Sequence, residues 1–196
     1  MIANCKRSNS RFTDSEFPTQ FKSLVGSPPE QGHDPNWVRY KWGRADDVLG
    51  RGQYGVFFDI KPTDVIQGGL GDCYFLSALS SLAEKPGLIR RLFNTEKPNE
   101  FGVYSIWMNI DGLWTETIVD DYFPIKDEGR GAVQFAFSRT SEDELWVLLL
   151  EKAYAKNYGN YFTIEGGDPV YALRDLTGAP FDRITDLKSG NRNEYW

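Results

Sequence analysis

Two runs of β-forming residues, GVYSIWMNI and LWTETIVD, meet at Asp111-Gly112, and this junction constrains the fold more than any other feature of the chain. Asp-Gly lets both residues of a two-residue loop take positive φ, whose twist suits antiparallel strands, so a hairpin is expected. Helical patterns lie on both sides of it. Asp72 is placed to cap, and Phe75, Ala78, Leu79 and Leu82 then fall at i, i+3, i+4 and i+7 before Pro86-Gly87 stops the run. A second short helix is expected at GLIRRLF, and YFPI and AVQFAFS read as short extended pieces. SEDELWVLLLEKAYAKNYG reads as a buried helix opened by a Ser141–Glu144 capping box, and DPVYALRDLTG as another helix. Helix, hairpin and helices in that order predict an α+β fold rather than a parallel α/β one.

A chain of 196 residues, 40% of them hydrophobic, can bury a core as one domain. Residues 1–36 read as an N-terminal arm, with Phe12 and Phe17 docked and the first ten residues loose. Residues 37–196 form the core, with Trp37, Tyr40 and Trp42 packed beneath the active-site region. A net charge of −6 without a basic stripe argues against nucleic acid as a main partner. No apolar run approaches a membrane span, so membrane association is not expected. The opening MIANCKRSNSRF lacks an apolar leader, and Cys5 and Cys73 make no disulfide framework; a reducing cytoplasm is the expected compartment.

Chemistry concentrates in QGGLGDCYFLSAL. Cys73 opens a helix, where the macrodipole and unpaired N–H groups favour the thiolate, the nucleophilic form. Gly68, Gly69 and Gly71 leave the loop bare enough for a substrate backbone to approach. The Gln67 amide and the Cys73 N–H could together hold an oxyanion, an interaction worth about 3 kcal/mol where it has been measured. On composition alone a buried structural cysteine at a tight turn is the better explanation of Cys73; the combination of Gln67, three glycines and a helix start shifts the balance towards chemistry.

QGGLGDCYFLSALSSLA resembles the active-site cysteine signature of the calpains, calcium-dependent papain-like cysteine endopeptidases. FTDSEFP, TDVIQG, VDDYFPIKD, LWVLLLEKAYAKNYGNY and EGGDPVYALRDLTG resemble further family stretches, so the likeness covers about residues 12–180. One departure is Tyr74, where the family has tryptophan; both are large aromatics with one polar handle, so local repacking is expected. The resemblance implies a papain-like fold, specifically the N-terminal, cysteine-bearing lobe with a central helix and a small antiparallel sheet. It makes Cys73 the nucleophile and Gln67 the oxyanion donor. Gly166 and Gly167 become the pair whose backbone binds an extended protein or peptide substrate. Asp64 and Glu144 become calcium ligands, with carbonyls near Phe57 and Asp59 completing the shell. Two other acidic pairs, Asp120-Asp121 and Asp127-Glu128, read as solvated loops.

A papain-type site also needs a histidine base and an orienting asparagine. The resemblance assigns both to a second lobe, expected beyond RNEYW and absent from this sequence. The single histidine, His33, lies in the turn-rich PPEQGHDPNW and reads as exposed or capping. This half alone is expected to bind calcium and to turn over peptides poorly or not at all. The open inter-lobe face, with Tyr195 and Trp196, is expected to be apolar. Two rivals remain: a non-catalytic calpain-like scaffold or regulatory calcium-binding module, and a transglutaminase-like hydrolase, which the glutamine-to-cysteine spacing disfavours.

Overall fold

A computed structural model describes residues 2–129 and 131–182. The arm carries two short helices, α1 (Ile2–Ser8) and α2 (Phe21–Val25). A strand β1 (Lys41–Arg44) and a short helix α3 (Ala45–Leu49) follow. The helix α4 (Cys73–Ala83) leads into α5 (Pro86–Arg90). The hairpin strands β2 (Val103–Ile110) and β3 (Leu113–Asp120) precede β4 (Tyr122–Gly129) and β5 (Ala132–Phe135). Two helices close the described chain, α6 (Trp146–Asn157) and α7 (Pro169–Thr177).

The expected hairpin forms with Val103 opposite Asp120 and Ile110 opposite Leu113. Asp111 and Gly112 both take positive φ, 51° and 84°, as a twist-matched two-residue turn requires. A separate sheet runs β1-β4-β5, all antiparallel. Helices packed with two small antiparallel sheets give the α+β architecture expected of a papain-like lobe. The α4 stripe is buried as its periodicity predicts, and Phe75 stacks on Tyr154 of α6 at 4.3 Å between ring centroids. Capped by Asp168 and closed by Gly178 in the left-handed conformation, α7 follows the expected pattern.

Four expectations are corrected. The first residues are not loose: α1 forms, and Cys5 is buried. Ser141 and Glu144 make no capping box; α6 begins only at Trp146, with no side-chain cap. Ser141 donates its hydroxyl to Asp64 Oδ1 instead, and Glu144 turns to the chain at residues 55–59. Asp72 holds the N-cap position of α4 without a side-chain capping bond. Asp120 and Asp121 are fully buried rather than solvated. Asp120 pairs with the equally buried Lys152 of α6, while Asp121 pairs with Arg44 of β1 and, at 2.5 Å, with Arg11 of the arm. Their cations come from distant parts of the chain, which local composition does not reveal. Asp127 and Glu128 are exposed, as expected.

The arm is held down by these charges and by rings. Phe17 is buried edge-on against Tyr161, Phe12 is half-buried with its N–H on the Phe101 carbonyl, and Lys156 pairs with Asp14. Trp37 and Tyr40 pack on Phe137, which lies directly under the loop that precedes Cys73. Tyr195 and Trp196 lie outside the described residues.

Candidate active site

Cys73 is exposed and is the first residue of α4, the helix position whose N–H has no intrahelical acceptor. It lines a shallow groove of about 230 Å³ with Val65, Gln67, Leu76, Ser77 and Ser80. The loop before it is stitched to residues 136–139. Ile66 and Arg139 exchange both backbone bonds, and Gly69 N–H donates to the Ala136 carbonyl at 2.8 Å. A Cβ on Gly68 would overlap the Phe137 carbonyl. Gly68 is therefore glycine because two backbones meet there, rather than to leave room for substrate. Gln67 sits at the groove as expected, with its side-chain Nε2 donating to the Leu70 carbonyl at 2.8 Å. That bond uses one of the two amide hydrogens and leaves the other for a ligand.

The expected glycine rim stands beside this loop. Gly166 N–H donates to the Gly71 carbonyl at 2.9 Å, and Glu165 accepts the Gly71 N–H at 3.0 Å. This two-way clasp fixes the rim against the loop that holds the thiol. Gly166 has φ +68° with open space where a Cβ would be, so its need for glycine is conformational. Gly167 needs glycine for a different reason, since its Cβ would meet the Tyr74 ring at 2.5 Å. Tyr74 is thus the floor under the rim. Burial pushes its hydroxyl up to about 12. Glu165 was not singled out by the sequence; nothing local marks a glutamate before a glycine pair as a clasp.

Asp64 and Glu144, far apart in sequence, are linked through the segment before α6: Ser141 donates to Asp64, and the Asp64 charge acts on Glu144. Asp64 is buried and accepts Lys61 N–H and the Ser141 hydroxyl, each at 2.7 Å. Glu144 accepts the N–H groups of Phe58 and Asp59 on Oε1 and the Trp146 indole N–H, at 3.0 Å, on Oε2. Burial raises the Glu144 carboxyl above its ordinary range, and the Asp64 charge adds to this. The Lys61 side chain is turned to Asp59 and Glu142. Two buried carboxylates that no cation pairs with among the described residues suit a hard divalent ion. Among the described residues no three His, Cys, Asp or Glu side chains gather as a metal cluster, so carbonyls or waters would have to complete a shell.

His33 is half-buried between Phe21 and Phe162, with Nδ1 at 2.6 Å from the Glu30 carbonyl. It does not line the Cys73 groove.

Comparison with known proteins identifies the family. A sequence model described as Calpain family cysteine protease matches residues 12–195. The Calpain-type cysteine protease DEK1 of Arabidopsis thaliana is 40% identical over 191 residues, 93% of this chain and 8% of that protein. Calpain-14 of Homo sapiens is 32% identical over 182 residues, covering 91% of this chain and 25% of that protein. The Calpain-1 catalytic subunit of Macaca fascicularis is 33% identical over 179 residues, 90% of this chain and 24% of that protein. The chain thus spans a quarter or less of the length of these relatives. It belongs to the calpain family of cysteine proteases.

Proposed function

We propose that this chain is the nucleophile-bearing lobe of a calcium-regulated cysteine endopeptidase acting on extended protein segments. The observation that carries this reading is the exposed thiol of Cys73 at a helix start, in one groove with Gln67 and clasped to the Gly166-Gly167 rim. An extended peptide would lay its backbone on the rim, which its glycines keep unobstructed. The Cys73 thiolate would add to the scissile carbonyl carbon, forming a C–S bond while the carbonyl oxygen takes the negative charge. That oxygen would be held by the Cys73 N–H and the second Gln67 amide hydrogen. Collapse would break the C–N bond, the amine leaving with a proton from an imidazolium. Water would then cleave the thioester, giving its proton to the same imidazole.

His33 faces Phe21 and Phe162 rather than this groove, so the base would come from a second lobe. The chain alone would then have no proton carrier and no turnover. Calcium would be held by Asp64 and Glu144 and supply positive charge between the two carboxylates. The same reading places the chain in a reducing cytoplasm, where both thiols stay free. A second reading, a non-catalytic calpain-like scaffold, is favoured by the inward turn of the Gln67 amide onto Leu70.

Turnover separates the two. With a second lobe and calcium, cleavage of an unstructured protein is expected, abolished by Cys73→Ala. This chain alone is expected to show none. Cleavage that survives Cys73→Ala, or a two-lobe protein that never cleaves, would contradict the proposal.

A further inference from the structure

The residue before the nucleophile has a side chain that the proposed chemistry does not use. Asp72 is fully buried, and neither carboxylate oxygen receives an N–H or O–H from the described protein. The carboxyl of Glu151, also buried, on α6, is its neighbour, and each of the two acts on the other electrostatically. Both oxygens of Glu151 accept the Ser138 N–H, at 3.1 and 3.3 Å. Two carboxylates cannot bond to each other, and two adjacent buried charges without a cation are unfavourable. A bond forms only when one of them carries a proton.

We infer that Asp72 and Glu151 share one proton, and that this buried carboxyl pair is a positioning device seating the first turn of the nucleophile helix. The Asp72 carbonyl already accepts the N–H groups of Phe75 and Leu76, at 2.9 and 3.1 Å, so the same residue fixes the helix start through its backbone. Its side chain, bonded to Glu151, would fix that start relative to α6 and to residues 136–138, the segment beneath the loop. Burial pushes Asp72 up to about 7 and Glu151 well above the ordinary carboxylate range, which agrees with a retained proton.

The titratable groups facing the pair are few. Glu165, on the rim, adds negative charge near Asp72. Tyr161 is buried beside both carboxylates, and Tyr74, on α4, feels Asp72. Lys152, the next residue of α6, is bonded to Asp120, and no described Lys or Arg pairs with either carboxylate. The hydroxyls of Ser138 and Tyr161 are buried without partners, so the neighbourhood is polar without being cationic. Charge relief at this position therefore depends on the proton.

The inference rests on Cys73 being the nucleophile only for its consequence; the proton itself is tested separately. Infrared spectroscopy of the full chain near neutral pH should show a protonated carboxyl C=O stretch that disappears in Glu151→Gln. Alkylation of Cys73 by iodoacetamide, mapped by mass spectrometry, reads the thiol whether or not the chain is a peptidase. In the native chain the rate should carry an extra pH-dependent step that Glu151→Gln removes. The glutamine amide can donate permanently to Asp72, so that variant should keep the native low-pH rate. Glu151→Leu, which leaves Asp72 without a donor, should alkylate about tenfold more slowly. Absence of the carboxyl band, or the same alkylation profile in all three proteins, would overturn the inference. A failure of the peptidase reading alone would leave both signals intact.

Discussion

Gly167 lies against the face of the Tyr74 ring, so that a Cβ at Gly167 would stand 2.5 Å from the ring's Cζ. The Gly166-Gly167 pair and the residue that follows Cys73 are therefore one packed unit. Gly167→Ala is expected to destabilise the chain by about 1–3 kcal/mol through overpacking. Tyr74→Leu should recover part of that loss when combined with it. Urea unfolding of both single variants and the double variant measures the coupling; strictly additive effects would show that the contact carries no energy.

Glycines of the site should differ sharply in tolerance. Gly68→Ala must push backbone against the Phe137 carbonyl and should prevent folding or cost more than about 4 kcal/mol. Gly166→Ala has open space and suffers only its positive φ, a cost of about 1–2 kcal/mol. Thermal melts of the two variants check this, and equal losses would contradict it.

Glu144 sits with its Oε2 3.0 Å from the Trp146 indole nitrogen, which offers a direct probe of cation binding. A bound terbium ion should emit when tryptophan is excited, and calcium should compete it away. Asp64→Asn and Glu144→Gln should each abolish the signal. Because burial raises the Glu144 carboxyl, protons compete with the ion and affinity should weaken as pH falls. Emission unchanged in both variants would place the cation elsewhere.

The carboxyl pair also predicts how stability varies with pH. Asp72 has an ordinary value of 3.8 and about 7 when folded, so the folded chain binds this proton more tightly than the unfolded chain. Its contribution is fully present below pH 3.8 and declines as pH rises towards 7. Glu151→Gln should flatten that decline between about pH 4 and pH 7 in a series of denaturant titrations. A variant whose stability tracks the native protein at every pH would contradict the shared proton.

The buried pair Asp120–Lys152 gives a further check. Lys152→Met leaves a buried carboxylate alone and should cost about 3–5 kcal/mol, while Asp120→Asn with Lys152→Met together should cost less. Equal losses would mean the charge itself is unimportant there.

Local signals in the sequence located the hairpin, α4 and α7, because Asp111-Gly112, the Phe75–Leu82 stripe and the Asp168/Gly178 caps act over a few residues. What was not legible depended on partners distant in the chain. Ser141 and Glu144 match a capping box in spacing, yet residues 55–64 take both side chains for other bonds. Asp120 and Asp121 look solvated until Lys152, Arg44 and Arg11 arrive from three other elements. Of the residues singled out, Cys73 and Gln67 line one groove, and Gly166 is bonded to Gly71 of the loop between them. Glu165 and Glu151 escaped notice, although an acidic residue inside the apolar run LWVLLLEKAYA was a visible signal for the second.

The central claim, that Cys73 is a nucleophile served by this groove, is tested most directly by a peptidyl epoxide whose adduct is mapped by mass spectrometry. The account predicts an adduct on Cys73 and none on buried Cys5, formed faster than with a non-peptidic epoxide and slowed by Gln67→Ala. No adduct on Cys73, or equal rates for the peptidyl and non-peptidic reagents, would contradict it.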